Sequence, residues 1–167
     1  KEAMLNSVEL VSQFVLAGFK KIHLDTSMRV ADDPTDKVLK NSTIARRGAI
    51  LYKACEDAYK KLLTKNPSEI KPAYVIGSEV PIPGGAQESD DSICVTKPQD
   101  LDRTLKAYEK AFSKLGIKDA FENIIGVVVQ PGVEFCDDNA FIYNREKAKA
   151  LTSFARTRKG IVLEGHS

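Results

Sequence analysis

Apolar residues recur along this chain at two periods, and the switching between them lays out its elements. Over residues 2–17, Met4, Val8, Val11 and Val15 share one helical stripe, and Gly18 supplies the stop. Residues 21–25 are too short and too quickly interrupted for another helix and read as a strand. A polar loop with Asp32, Asp33 and Pro34 follows over residues 26–41. A second helix is predicted from a Ser42 or Thr43 cap to Leu63, with Ile44, Leu51, Cys55, Ala58 and Leu62 inward and Asn66-Pro67 as its end. Tyr74-Val75-Ile76 are strand formers without polar alternation, the pattern of a strand buried on both faces, and Gly77 closes the run.

Thr96-Lys97-Pro98-Gln99 resembles a capping box with proline in the first turn. Leu101, Leu105, Tyr108, Phe112 and Leu115 then form a stripe that ends at Gly116. A short helical piece over residues 118–122 leads into a strand over residues 123–130, whose Val127-Val128-Val129 centre again reads as buried on both sides. A last helix runs from an Asn144 cap to about Arg158, with Ala148, Leu151, Phe154 and Ala155 inward; Gly160 breaks it, and residues 161–164 form a final strand. Helix and strand thus alternate four times, with connections long enough for crossovers between parallel strands, which predicts α/β architecture. A (β/α)8 barrel of which the chain holds about four central units fits this order, with a small open doubly wound sheet as the competing arrangement.

The four apolar runs end alike, in a carboxylate or amide followed by glycine or small residues: KIHLDTSM, AYVIGSEVPIPGGAQE, IIGVVVQPGVEF and IVLEGHS. In the second, Pro81 and Pro83 fix the backbone while Gly84 and Gly85 allow close approach to something small. Strand-end residues of this kind point to a common polar rim, with Asp25, Ser27, Glu79, Gly84, Gly85, Gln130, Glu134, Glu164 and His166 as candidates for a substrate pocket. Taken singly, each carboxylate is expected to bond loop backbone or cap a helix; taken together, they are expected to shape a pocket. Ser27 and the Gly84-Gly85 amides are candidates to hold a phosphate.

Composition narrows the function classes. With 167 residues, 43% hydrophobic and 29% charged, the chain reads as one globular domain, residues 1–167. The two open edges expected of four strands alone make it a segment of a longer chain or a tight partner of the remainder. The net charge of +2 is scattered, so neither nucleic acid nor a membrane surface is expected as partner. Lys20-Lys21, Arg46-Arg47 and Lys60-Lys61 read as solvated helix edges. No apolar run approaches the roughly 20 residues of a membrane helix, and a cytoplasmic location is expected. Cys55, Cys94 and Cys136 lie far apart and read as buried thiols rather than a disulfide or metal framework. A catalytic zinc site takes three protein ligands and an open position, and this chain has two histidines. His23 reads as a strand histidine bonded to its surroundings, so Glu164 and His166 are the weak metal candidates, and no cofactor is expected.

The runs KIHLDTSM, YVIGSEVPIPGGAQE, VVVQPGVEF and EGHS, in this order and with NSVELVSQFVLAGF ahead of them, resemble the non-catalytic, Z-type subunit of class II D-tagatose-1,6-bisphosphate aldolase, whose members are often labelled tagatose-6-phosphate kinase. The resemblance covers nearly the whole chain. It implies a (β/α)8 barrel and a subunit that stabilises and activates a separate catalytic aldolase in galactitol and N-acetylgalactosamine breakdown. It also implies an oligomeric assembly, zinc in the partner rather than here, and a pocket that keeps the shape of a sugar-phosphate site. The related catalytic enzymes hold zinc with three histidines at strand ends; by comparison the second falls about at Gly132 and the third about at Glu164.

Two other readings accompany this one. A kinase acting on tagatose 6-phosphate is disfavoured, because there is no G-x-x-x-x-G-K-[ST] and Pro-Gly-Gly-Ala carries no lysine to reach a nucleotide phosphate. A metal-dependent sugar-phosphate lyase would use Glu79, Glu164 and His166 with ligands from elsewhere.

Overall fold

A computed structural model describes residues 1–37, 39–77, 95–132, 134–135, 140–141, 143–158 and 160–165. Five helices, α1 (Glu2–Leu16), α2 (Asn41–Lys65), α3 (Pro98–Lys114), α4 (Ala120–Asn123) and α5 (Arg145–Arg156), alternate with strands β1 (Lys21–Leu24), β2 (Ala73–Gly77), β3 (Ile124–Val128) and β6 (Val162–Glu164) among these residues. The four strands form one sheet in the order β1-β2-β3-β6, and every neighbouring pair is parallel. Spatial order therefore follows chain order. Strands β4 (Glu134–Phe135) and β5 (Ala140–Phe141) make a small antiparallel pair in the connection from β3 to α5, which the hydrophobic pattern does not foreshadow.

The alternation of residues along each strand decides what the sheet packs against. Ile22 and Leu24 of β1, Tyr74 and Ile76 of β2, and Ile124 and Val127 of β3 join one apolar cluster, together with Val129 just beyond β3. The same cluster takes in Val11 and Val15 of α1, Ala45, Ala49, Tyr52 and Cys55 of α2, Leu101, Leu105, Tyr108 and Phe112 of α3, and Leu151 of α5. One sheet face thus carries the helices of all four units. Removing each buried Val, Leu or Ile side chain from water contributes roughly 1.5–3 kcal/mol. The opposite face is set by the register: Lys21 and His23 lie beside Ala73 and Val75, Val75 beside Gly126, and Gly126 and Val128 beside Val162 and Glu164. Tyr74, Val75 and Ile76 are all fully buried, as are Val127, Val128 and Val129, so both central strands are covered on both faces.

Some local expectations give way to other bonds. Helix α2 begins one residue before Ser42, with Lys40 at its N-cap and no side-chain cap. Thr96 does not cap α3, whose N-cap is Lys97. Instead Thr96 Oγ1 accepts the Gln130 amide at 2.9 Å, and the Thr96 amide donates to the Gln130 carbonyl at 2.9 Å. Asn144 does cap α5, its Oδ1 accepting the Lys147 amide at 3.0 Å. Arg47, expected on a solvated edge, is 6% exposed. Its guanidinium donates from both terminal nitrogens to Asp33, at 2.9 Å and 2.7 Å, and so fastens the β1–α2 connection to the helix. Leu115, expected inward, is exposed because α3 ends at Lys114.

Candidate functional site

Because the four strands of this sheet are parallel, their carboxyl ends lie along one edge, and the residues just beyond them share that edge. Asp25 follows β1 directly, Gln130 stands two residues beyond β3, and Glu164 closes β6. Gly77 ends β2 with φ +88°, a conformation open to glycine, and a Cβ there would lie 3.0 Å from the Val128 carbonyl oxygen. The close approach of β2 to β3 at the rim therefore depends on this glycine. Glu79, Gly84, Gly85 and His166 lie outside the described residues, and of Glu134 the structure describes the backbone in β4.

Each described rim residue is engaged. Asp25 is exposed and its Oδ1 accepts the Ser27 amide at 2.9 Å, closing a tight turn after β1. Gln130 is buried; its Oε1 accepts the Gly132 amide at 2.8 Å, so the Gln-Pro-Gly turn is held by the side chain that precedes it. Thr26, between Asp25 and Ser27, is buried on the helix side and donates to the Ile44 carbonyl of α2 at 2.8 Å. His23, two residues below Asp25, places Nε2 3.0 Å from the Gly77 carbonyl oxygen, which ties β1 to the end of β2.

Glu164 behaves differently. By register it stands opposite Val128, which stands opposite Gly77, at the level of the rim. Its carboxylate nevertheless turns back: Oε2 lies 3.6 Å from the position a Cβ on Gly126 would take, one pleat lower, and accepts from Lys21 Nζ at 2.8 Å. Lys21 opens β1, at the other end of the sheet. Three strand spacings of about 4.8 Å separate these outer strands by about 14 Å along the sheet, so the pair reaches across the whole of the second face.

Three further ionisable groups lie on the helix side, Asp33, Tyr108 and Cys55. Asp33 also accepts the Val30 amide at 2.9 Å; the Arg47 hydrogen bonds, followed by this backbone bond, hold its carboxyl below the usual carboxylate range. The Tyr108 hydroxyl, on α3, is buried near Thr26 and Gly77 but makes no hydrogen bond of good geometry among the described residues, and burial pushes its ionisation up to about 12. Cys55 is buried, and burial likewise raises its thiol to about 12, which leaves it inert at neutral pH.

The sequence pattern missed Lys21, Thr96 and the Arg47–Asp33 pair. Lys21 was legible in principle, since it alternates with His23 and Asp25 on one strand face. Thr96 and Arg47 were not, because their partners lie 34 and 14 residues away through folded connections. Among the described residues no group of three His, Cys, Asp or Glu side chains is placed to hold a metal ion.

A parallel sheet with its helices on one face and polar side chains gathered at the strand carboxyl ends defines the class: an α/β chain of the kind that places its chemistry beyond those ends. Residues 1–167 match the family described as D-tagatose-1,6-bisphosphate aldolase subunit GatZ/KbaZ-like. The chain is 43% identical over 169 residues to the D-tagatose-1,6-bisphosphate aldolase subunit GatZ of Salmonella dublin, and 45% identical over 170 residues to that of Klebsiella oxytoca. Each alignment covers 99% of this chain, and 37% and 38% of those two proteins respectively. A crystal structure of a probable tagatose 6 phosphate kinase from Sinorhizobium meliloti 1021 superposes with a TM-score of 0.78 at 34% identity, over 99% of this chain and 36% of that one. The chain belongs to the GatZ/KbaZ-like family. It spans little more than a third of the length of these relatives.

Proposed function

We propose that this chain is part of a non-catalytic subunit that stabilises and activates a separate class II tagatose-1,6-bisphosphate aldolase, working in the cytoplasm in galactitol and N-acetylgalactosamine breakdown. The observation that carries this reading is the family match over residues 1–167, backed by 43–45% identity to aldolase subunits named GatZ. The strand-end chemistry is in keeping with it. The chain offers two imidazoles in all, and the side chains of Asp25, Gln130 and Glu164 at the rim bond backbone amides or Lys21.

The sheet is best understood as a segment of an eight-stranded β/α barrel. A doubly wound sheet reverses its strand order at a switch point and places helices on both faces. Here the order runs β1-β2-β3-β6 without reversal, and the helices of all four units join one cluster on one face. That is the arrangement of consecutive barrel units, with the second face turned to the interior and the rim forming part of the mouth. In this reading Asp25, Ser27, Glu79, Gly84, Gly85, Gln130, Glu134, Glu164 and His166 line the mouth, which keeps the dimensions of a sugar-phosphate pocket, and the subunit works within an oligomer.

No helix among the described residues is long and apolar enough to cross a membrane. The direct test is a cleavage assay on the full-length protein without its partner. We expect no formation of triose phosphates from tagatose 1,6-bisphosphate above the buffer rate; robust turnover by this protein alone rejects the helper role.

A further inference from the structure

Gln130 is fixed at the rim by bonds that leave its side-chain nitrogen unused. Its amide donates to Thr96 Oγ1 and its carbonyl accepts the Thr96 amide, both at 2.9 Å, while its Oε1 accepts the Gly132 amide at 2.8 Å. The last bond also settles which way the side-chain amide faces, because turning it over would set its N–H donors against another N–H. Val127 and Val129 join the helix-side core, so alternation puts Gln130 on the opposite face, with Gly126 and Val128. The residue is 8% exposed. Among the described residues, the side-chain polar atoms both sealed from solvent and unpartnered are Arg47 Nε and the Tyr108 hydroxyl. Gln130 Nε2 is neither of these and donates to no atom among the described residues, so it keeps a path to solvent. An otherwise enclosed side chain thus offers a pair of oriented donors at the strand ends.

We propose that Gln130 is a specificity-determining residue, whose Nε2 donates to an acceptor oxygen, on the phosphate or on the sugar, of a sugar phosphate held in the mouth. The proposal rests on the reading of the rim as a sugar-phosphate pocket. A donor oriented beforehand by its own turn loses little freedom when it binds, and enclosed N–H groups discriminate against any group that cannot accept from them. Asp25, two strands away, is built the same way: its Oδ1 takes the amide two residues on, and its exposed carboxylate can accept from hydroxyls. A fixed donor and a fixed acceptor about 10 Å apart across the strands suit a polyhydroxylated chain that also carries acceptor oxygens.

The test uses the full-length protein and D-tagatose 1,6-bisphosphate, with dissociation constants from calorimetry. Gln130→Glu keeps an oxygen for the Gly132 amide and replaces the donors with a carboxylate oxygen; Gln130→Met removes the donors and the turn bond but adds no charge. Both variants should bind the bisphosphate about tenfold or more weakly, as expected for a lost hydrogen bond from an enclosed donor. Neutral D-tagatose separates the two sources of the oxygen: it should weaken in parallel if the bond goes to the sugar, and stay within about twofold if it goes to a phosphate. Normal bisphosphate binding by Gln130→Glu overturns the proposal, since a residue that only holds the turn is preserved in that variant. Normal binding by Gln130→Met overturns it too, because a loss confined to Gln130→Glu is charge repulsion alone. If the unaltered protein binds neither probe, the pocket reading itself falls and takes this proposal with it, an outcome distinct from unaffected variants.

Discussion

At the scale of single residues, two buried contacts near the rim carry tests of their own. Gly48 lies in the middle of α2, where a Cβ would come within 2.6 Å of both Cε1 and the hydroxyl oxygen of Tyr108. Helix interiors normally disfavour glycine, so its presence here reflects the passage of that ring. Gly48→Ala should destabilise the protein by about 1–3 kcal/mol through overpacking. Tyr108→Phe, which removes the hydroxyl, should return part of that loss; chemical denaturation of the two single variants and the double variant checks it, and an unaffected Gly48→Ala protein would contradict the packing.

The Arg47–Asp33 pair makes a pH prediction. Arg47 holds the carboxyl of Asp33 below its ordinary value of 3.8 in the folded state, so the pair's contribution is fully present above that value. It is lost as the pH falls through the depressed folded value. Thermal stability should therefore drop on acidification below about pH 4, and Arg47→Met should both lower the melting temperature at neutral pH and flatten that acid limb. The sequence showed Arg46-Arg47 only as a charged pair; that one of them is buried follows from a connection folding back onto α2, which no local pattern reports.

At the scale of elements, the caps separate what was readable from what was not. Asn144 precedes an apolar stripe and caps α5 as its position predicts, because the bond it makes is three residues away. Asn144→Ala should cost about 1 kcal/mol, read as a shift in denaturation midpoint, with the loss concentrated in hydrogen exchange of the first turn of α5. Thr96 precedes an equally good helix start and yet spends its hydroxyl on Gln130, at the end of β3. The two candidates differ only in whether tertiary structure supplies a stronger partner. The helix stripes and the unbroken apolar runs of β2 and β3 were legible for the same reason that Asn144 was. Met4, Val8, Val11 and Val15 all pack against the core, since helical periodicity and burial coincide there. The β4–β5 hairpin was not legible, being two residues on each side without alternation.

At the scale of the whole molecule, parallel order follows from alternating helix and strand patterns written in the spacing of apolar residues, whereas the one-sided placement of the helices does not, since a doubly wound sheet carries the same alternation. The rim was visible only as a set of strand-end residues. Asp25, Gln130 and Glu164 each turn to a different partner, and for Glu164 that partner begins the far outer strand, 143 positions away in the chain. If this family member works by supporting a partner aldolase, its effect must appear in the partner's kinetics. The measurement that bears on this most directly is the rate of tagatose 1,6-bisphosphate cleavage by the purified catalytic subunit, followed over hours with and without the full-length protein. A higher initial rate and a longer-lived activity are expected when the two are mixed; a catalytic subunit whose rate and lifetime are unchanged by the mixture would contradict the helper role.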